Sequence, residues 1–365
     1  MASGAVLSLR VATTRRFPYT RANSCYSDGF SSGLDLPAPH STPIKYISET
    51  RVDIMPWTSP FSLPGHWYKG NLHTHTTQSD GQFTPEEAIT WYRAHQYDFL
   101  ALTDHWVHTP GRAFDGTFIT LSGAELHGDG YHMLAIGLSG LPSQELDNDP
   151  SALARAVADL GGLAYYAHPY WTGQTSSHID AHPGVRGIEV YNSVCDQAYG
   201  LGYSRVPWDE LLEQGHRLVG LAVDDVHWKY GAQGWGFVMV RSPRLDEASL
   251  IDALRQGHFY ASTGPALLDL RVVRLADDTP ALRVRCSPCA SITFYGAGPS
   301  GHRFMADPGG LGDQNGRGDQ NGRLDGAIYP ITQKQVFLRV ECQDAAGRVA
   351  WSNPLFVEDI LGPQS

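Results

Sequence analysis

Between about Gly70 and Leu254 the chain alternates short apolar runs with segments whose apolar positions recur at helical spacing. The runs are Phe99–Thr103, Phe118–Leu121, Met133–Ile136, Leu163–Ala167, Gly187–Val190 and Leu218–Ala222. Strand and helix in alternation predict an α/β barrel or layered sheet. Two helices carry their own punctuation. Thr84-Pro-Glu-Glu87 reads as a capping box opening Ala88–Ala94, and Asp246–Gln256 is stopped by Gly257. After Gly264 the period changes to two, in Ala281–Cys286, Ile292–Tyr295 and Val336–Cys342, with Gly- and Pro-rich turns between. A small antiparallel β-domain is therefore expected over 265–365.

Inside that β-domain Gly312-Asp-Gln-Asn-Gly-Arg317 is repeated at once as Gly318–Arg323. Turn formers at this density predict an exposed loop over 312–323. Its Asp and Asn oxygens lack the Glu that a calcium loop places last, so a loop expansion is preferred over a calcium site. Residues 1–45 read as a disordered extension; Arg10, Arg15, Arg16 and Arg21, with no acid before Asp28, leave an organellar transit segment over 1–27 as the alternative to a cytoplasmic protein.

Composition narrows the functions. A chain of 365 residues with 42% hydrophobic residues can bury a large core, and no apolar stretch is long enough for a membrane span. The net charge of -11 comes without any Lys/Arg-rich run, which argues against nucleic acid and for a small-molecule substrate. Five irregularly spaced cysteines do not form a disulfide framework, and Cys286-Ser-Pro-Cys289 lacks the second pair of a zinc ribbon. Structural thiols are the expectation there.

The chemistry gathers around Asn71-Leu-His-Thr-His-Thr76, where His73 and His75 share one face of an extended segment and can reach one ion. Alone, such a pair is weak evidence. The segment continues, however, to Asp80 in the turn Ser79-Asp80-Gly81, and further His and carboxylate positions sit at the ends of successive apolar runs: Asp104, His105, Glu125, His132, His168, Asp225 and His227. Loops beyond strand C-termini converge on one site in parallel α/β architectures, so these positions are expected to meet.

Over residues 68–264 this pattern resembles the PHP (polymerase and histidinol phosphatase) superfamily, in His73-Thr-His75-Thr76, Ser79-Asp80-Gly81, Thr103-Asp104-His105, Glu125, His132, His168 and Asp225-Val226-His227. The segment Gly257–Pro265 is similar to the CehA/McbA-like branch, which includes carbamate hydrolases. The resemblance implies a distorted (β/α)7-type barrel over 46–264, followed by the sandwich-like β-domain. It implies nine metal ligands: His73, His75, Glu125 and Asp225 on a first ion, Glu125, His132 and His168 on a second, and Asp80, His105 and His227 on a third. Two or three divalent ions are expected, zinc, manganese or iron, because the donors are imidazoles and carboxylates without thiolates. Glu125 has to bridge, which two carboxylate oxygens permit.

The expected activity is hydrolysis by a hydroxide shared between two ions, with a phosphate mono- or diester as the leading substrate. A carbamate, aryl ester or amide is the alternative, and a non-catalytic metal-stabilised module the third reading. Asp104 is expected to orient an imidazole or take a proton from the attacking water. His178, in the loop Ser176–Pro183, is a candidate general acid or substrate contact, and Tyr170 with Trp171 could wall an organic leaving group. His127 and His108 lie near the motifs without an assigned role. Lys69, Arg112 and Lys229 are the cations nearest the motifs in sequence.

Overall fold

The computed structural model describes residues 57–179, 184–306, 316–318 and 322–362. The extension 1–45 with its transit-like stretch, Cys25, His182 and most of the repeat 312–323 lie outside the described residues. No helix among the described residues is long and apolar enough to cross a membrane.

The architecture is mixed α/β, with three sheets. The largest runs in the order Gly301–Met305, Ser291–Tyr295, Phe337–Gln343, Val349–Ser352, Phe259–Ser262, Phe237–Ser242, His66–Asn71, Phe99–Ala101, Phe118–Leu121 and Arg112–Phe114. A five-stranded sheet joins Gly123–Gly128, Tyr131–Ile136, Leu163–Ala167, Val185–Asn192 and Val219–Val223. The third combines Leu267–Arg274, Pro280–Cys289, Leu324–Pro330 and Gly316–Gly318.

None of these sheets closes on itself among the described residues, and the strands do not follow a uniform strand–helix alternation. The reason is local. Asp129-Gly130, with Gly130 at φ 74°, joins Gly123–Gly128 to Tyr131–Ile136 as a two-residue hairpin, and an antiparallel pair replaces a strand–helix–strand unit. Instead, isolated parallel bridges at Thr74–Val226 and His105–Glu125 tie the large sheet to the five-stranded one at two points. All four bridge residues lie in or beside the metal-ligand motifs.

Helices follow their sequence signals. Thr84 and Glu87 form the capping box on Pro85–Ala94, the Thr84 backbone N–H donating to the Glu87 carboxylate at 2.8 Å. Glu247–Gln256 starts after Asp246, whose carboxylate accepts from Ser249 N–H, and ends at Gly257 in the left-handed region. That helix buries Leu250, Ile251, Ala253 and Leu254, each leucine worth roughly 1.5–3 kcal/mol of apolar burial.

Beyond residue 264 the strands stay continuous with the rest. Val349–Ser352 pairs antiparallel with Phe259–Ser262, so the large sheet passes without a break into the C-terminal strands. Leu282, Val284, Phe294, Leu338 and Val340 fill the space between that extension and the third sheet. Cys286 continues the inward alternation of Leu282 and Val284, and a register shift between Arg285 and Cys289 turns Cys289 inward as well, into the core that holds Cys342. Cys195, Cys286, Cys289 and Cys342 are buried free thiols, in keeping with a structural role.

Candidate metal centre

Strand ends deliver the donors. His73–His75 follow His66–Asn71, His105 follows Phe99–Ala101, Glu125 and His132 stand diagonally across the hairpin, opposite Leu134 and His127, His168 follows Leu163–Ala167, and Asp225 with His227 follow Val219–Val223. His168 and Asp225 adopt φ of 32° and 52°, and Trp106 and Trp228, beside His105 and His227, adopt 50° and 66°. Left-handed backbone at residues with side chains costs energy and clusters where geometry serves function.

All nine expected ligands meet. Nε2 of His73 and Nε2 of His75 are 3.1 Å apart, and each lies 3.1 Å from Asp225 Oδ1. Glu125 divides its oxygens: Oε2 lies 3.3, 3.2 and 3.1 Å from His73, His75 and His105, while Oε1 lies 2.9 and 3.2 Å from His132 and His168. Asp80 Oδ2 is 3.2 Å from His227 Nε2, and its Oδ1 is 3.9 Å from His105 Nε2. Donor atoms close enough to share an ion form four overlapping groups: His73-His168-Asp225, His73-His75-Glu125, His105-Glu125-His132 and His75-Asp80-His105-His227.

The donor set fits divalent cations. His73 Nδ1 donates to Glu189 at 2.6 Å, which leaves the Nε2 lone pair aimed at the centre. Asp225 Oδ1, buried, accepts no hydrogen bond despite its two imidazole neighbours. The carboxylates Asp80, Asp104, Glu125, Glu189 and Asp225 converge here. Among the described residues the Lys or Arg within ion-pair reach of them is Lys229, with Nζ 4.0 Å from Asp80. So much buried negative charge calls for cations. Burial opposes protonation of His75, but the carboxylates of Asp225 and Glu125 beside it win and hold it at about 9. His105 is pushed down to about 4, mainly by burial, and stays a neutral donor at pH 7. Burial disfavours the ionised Glu125, yet His73, His132 and His168 hold it well below the usual carboxylate range.

A second ring of residues holds the donors in place. Among the described residues Asp104 touches no imidazole: its carboxylate accepts from Thr76 N–H at 2.7 Å, Thr76 Oγ1 at 2.8 Å and Ser79 Oγ at 2.7 Å. Ser79 Oγ in turn lies 3.3 Å from His75 Nδ1, so Asp104 orients His75 and the Asp80 turn through one hydroxyl. That turn is tight. A Cβ on Gly81 would fall 2.6 Å from the His75 carbonyl carbon and oxygen.

Three residues of this ring are not apparent from the sequence motifs. Glu189 also accepts from the His168 N–H at 2.7 Å and from Asn192 Nδ2 at 2.8 Å, and Asn192 reaches Asp225 Oδ2 at 3.1 Å. Asp224 accepts from Tyr92 Oη and from the backbone N–H of Gly234, Trp235 and Gly236. Burial raises its carboxyl to about 6 against those hydrogen bonds. A Glu and an Asn three apart at the end of a predicted strand were the available signal.

The structure does not bring His178 to the centre; it is exposed and accepts from Thr175 N–H at 3.1 Å. His127 stacks near the rim, its ring centroid 5.1 and 5.2 Å from those of His105 and His132. His108 faces away, with Nε2 3.0 Å from Leu138 O. Lys69 sits over the Tyr97 ring at 3.9 Å and Arg112 over Phe114 at 4.4 Å. Trp171 flanks His168 and His132 at 5.1 and 5.9 Å between ring centroids. Tyr199 and Tyr230 continue that row at 6.1 and 6.5 Å. All three aromatics are at least 39% exposed, so the row faces solvent beside the centre.

No family model matches the chain, and no curated protein matches it. The chain is similar to several solved structures. One is a two-domain protein from Bacteroides vulgatus containing a predicted PHP-like metal-dependent phosphoesterase, 12% identical over 84% of this chain and 100% of that one, with a TM-score of 0.45. Another is the lesion-specific endonuclease EndoQ from Pyrococcus furiosus, 13% identical over 52% of this chain and 56% of that one, with a TM-score of 0.37.

Proposed function

We propose that this chain is a metal-dependent hydrolase of the PHP type acting on a small phosphate mono- or diester. The observation that carries the reading is Glu125, a fully buried carboxylate whose two oxygens face two different sets of imidazoles. In this reading His73, His75, Glu125 and Asp225 surround one ion, Glu125, His132 and His168 a second, and Asp80, His105 and His227 a third. Zinc, manganese and iron all suit these donors. Bound ions would acidify a water for attack and draw charge from the scissile group.

The remaining residues prepare that chemistry. Glu189 keeps the His73 lone pair turned inward, Asp104 fixes the Asp80 turn, and Asn192 holds Asp225. Lys229, 33% exposed beside Asp80, can meet a substrate oxygen. The exposed row Trp171, Tyr199 and Tyr230 favours a substrate with an aryl leaving group. That row also supports a second reading, hydrolysis of an aryl carbamate or ester as in the CehA/McbA-like branch, since one lysine is little positive charge for a doubly charged phosphate. The barrel-like half is assigned to 46–264 and the β-domain to 265–365.

Metal analysis of the purified chain followed by assays with aryl phosphate, bis-aryl phosphate and aryl carbamate tests the proposal. Turnover that needs metal and vanishes in a folded Glu125→Ala variant is expected. Wild-type-like activity in that variant refutes the bridging role, and bound metal with no activity on all three substrates favours a non-catalytic module.

A further inference from the structure

A cavity of about 470 Å³ opens at the opposite ends of the strands from the metal centre. Its wall includes Arg186 at the start of Val185–Asn192, Val219 at the start of Val219–Val223, and Arg255 to Phe259 after the helix Glu247–Gln256. Six residues of strand separate Arg186 from Asn192, about 20 Å at the rise of an extended chain. The volume lies within the range of small-molecule sites, and the cavity sits where the two halves of the chain meet. Phe61, Leu270 and Phe356 supply an apolar side.

Its charge is what stands out in a chain of net charge -11. Three guanidinium groups and His258 line it, against one carboxylate, Asp359. Arg217 consumes that acid, donating to Asp359 at 2.8 Å and to Glu358 at 2.6 Å. Arg186 and Arg255 have no carboxylate within ion-pair distance among the described residues. Arg186 Nη1 donates to Arg217 O at 3.0 Å, and Arg255 Nη2 donates to Gly161 O at 3.0 Å. Arg186 Nε is buried with no hydrogen-bond partner among the described residues. Its Nη2 would lie 3.1 Å from a Cβ on Gly257, whose φ of 75° suits glycine, so the missing side chain leaves room for the guanidinium.

Two guanidinium groups that line a cavity without a carboxylate partner among the described residues favour an anion there. We propose that this cavity is a second binding site, separate from the metal centre, for a small organic anion. Its phosphate or carboxylate head meets Arg186 and Arg255, and its apolar body lies against Phe61, Leu270 and Phe356. Planar guanidinium groups suit either acid, because both offer paired oxygens.

Calorimetric titration of the metal-loaded full chain with phenylphosphonate, benzoate and inorganic phosphate tests the site, phenylphosphonate being resistant to hydrolysis. Saturable binding of an aryl anion is expected, at least tenfold tighter than inorganic phosphate. It should persist in Glu125→Ala, which separates it from the metal centre, and weaken at least tenfold in Arg186→Gln. Arg255 is exposed, so Arg255→Gln folds even if the Arg186 variant does not, and it should weaken binding at least threefold. Absence of saturable binding, loss of binding in Glu125→Ala, or unchanged affinity in folded arginine variants overturns the proposal; so does an aryl anion bound no tighter than inorganic phosphate. The relative affinities of phenylphosphonate and benzoate identify the head group.

Discussion

Replacing Glu189 by Gln changes one oxygen for one NH2 and asks whether a residue that touches no substrate controls the metal centre. Glu189 is fully buried and accepts three hydrogen bonds, from His73 Nδ1 at 2.6 Å, His168 N–H at 2.7 Å and Asn192 Nδ2 at 2.8 Å. A glutamine has one acceptor oxygen for these donors. If its oxygen keeps the His168 N–H, its NH2 faces His73 Nδ1, which must then become the acceptor; the ring proton moves to Nε2, where the lone pair is needed. If the oxygen keeps His73, an NH2 meets a backbone N–H, leaving a buried donor unmet at roughly 1–3 kcal/mol. Under the proposed function, either arrangement should weaken metal binding at His73. Loss of such an orienting partner typically costs 10- to 100-fold in metal affinity, or about 1.4–2.7 kcal/mol. Competition with a chromophoric chelator measures that affinity directly, and circular dichroism confirms the fold. Glu189→Gln binding metal as tightly as the parent chain would refute the claim that Glu189 sets the tautomer of His73.

Three further perturbations read other regions of the molecule. Arg339, fully buried, donates to Asp209 at 2.5 and 2.7 Å and to Glu341 at 2.7 Å, tying the C-terminal strands to the helix Arg205–Glu213; Arg339→Leu should lower unfolding free energy by about 1–3 kcal/mol in urea, since Asp209 loses its cation while Glu341 keeps Arg205 and Trp351, and a loss under about 0.5 kcal/mol argues against this tie. Gly81→Ala drives a methyl into the His75 backbone, so it should lower the metal-to-protein ratio by one ion while the other ions stay bound; full occupancy by elemental analysis counts against the Asp80 turn as a ligand-bearing element. Burial holds the His258 imidazole below its ordinary value, with Asp252 opposing and Arg186 assisting; the unfolded chain therefore takes up its proton first, and this contribution to stability is present above about pH 6.5 and lost on acidification. His258→Gln should flatten the dependence of the urea midpoint on pH below that value, and an unchanged slope contradicts the assignment.

Most candidate ligands were legible because they stand beside apolar runs, and the parallel strands bring those ends to one side of the sheets; Glu125 and His132 instead lie within and at the start of two hairpin strands. Individual strand boundaries were also legible: Leu163–Ala167 and Phe118–Leu121 form as read. What the periodicity could not supply was closure. Asp129-Gly130 is a hairpin signal only when weighed against the helix that a barrel would require there, and the pairing of Val349–Ser352 with Phe259–Ser262 joins positions about 90 residues apart in sequence. The supporting residues were hidden for another reason. Glu189 and Asp224 stand in or beside buried strands, where an acid looks like an exception rather than a component, until the neighbouring His73, His168 and Trp235 show which donors each one satisfies. The same logic runs in reverse at Arg186. There two guanidinium groups, Arg186 and Arg255, line a cavity without a carboxylate partner among the described residues, and unpaired charge beside a void argues for an anion as a converging cluster of imidazoles and carboxylates argues for a cation.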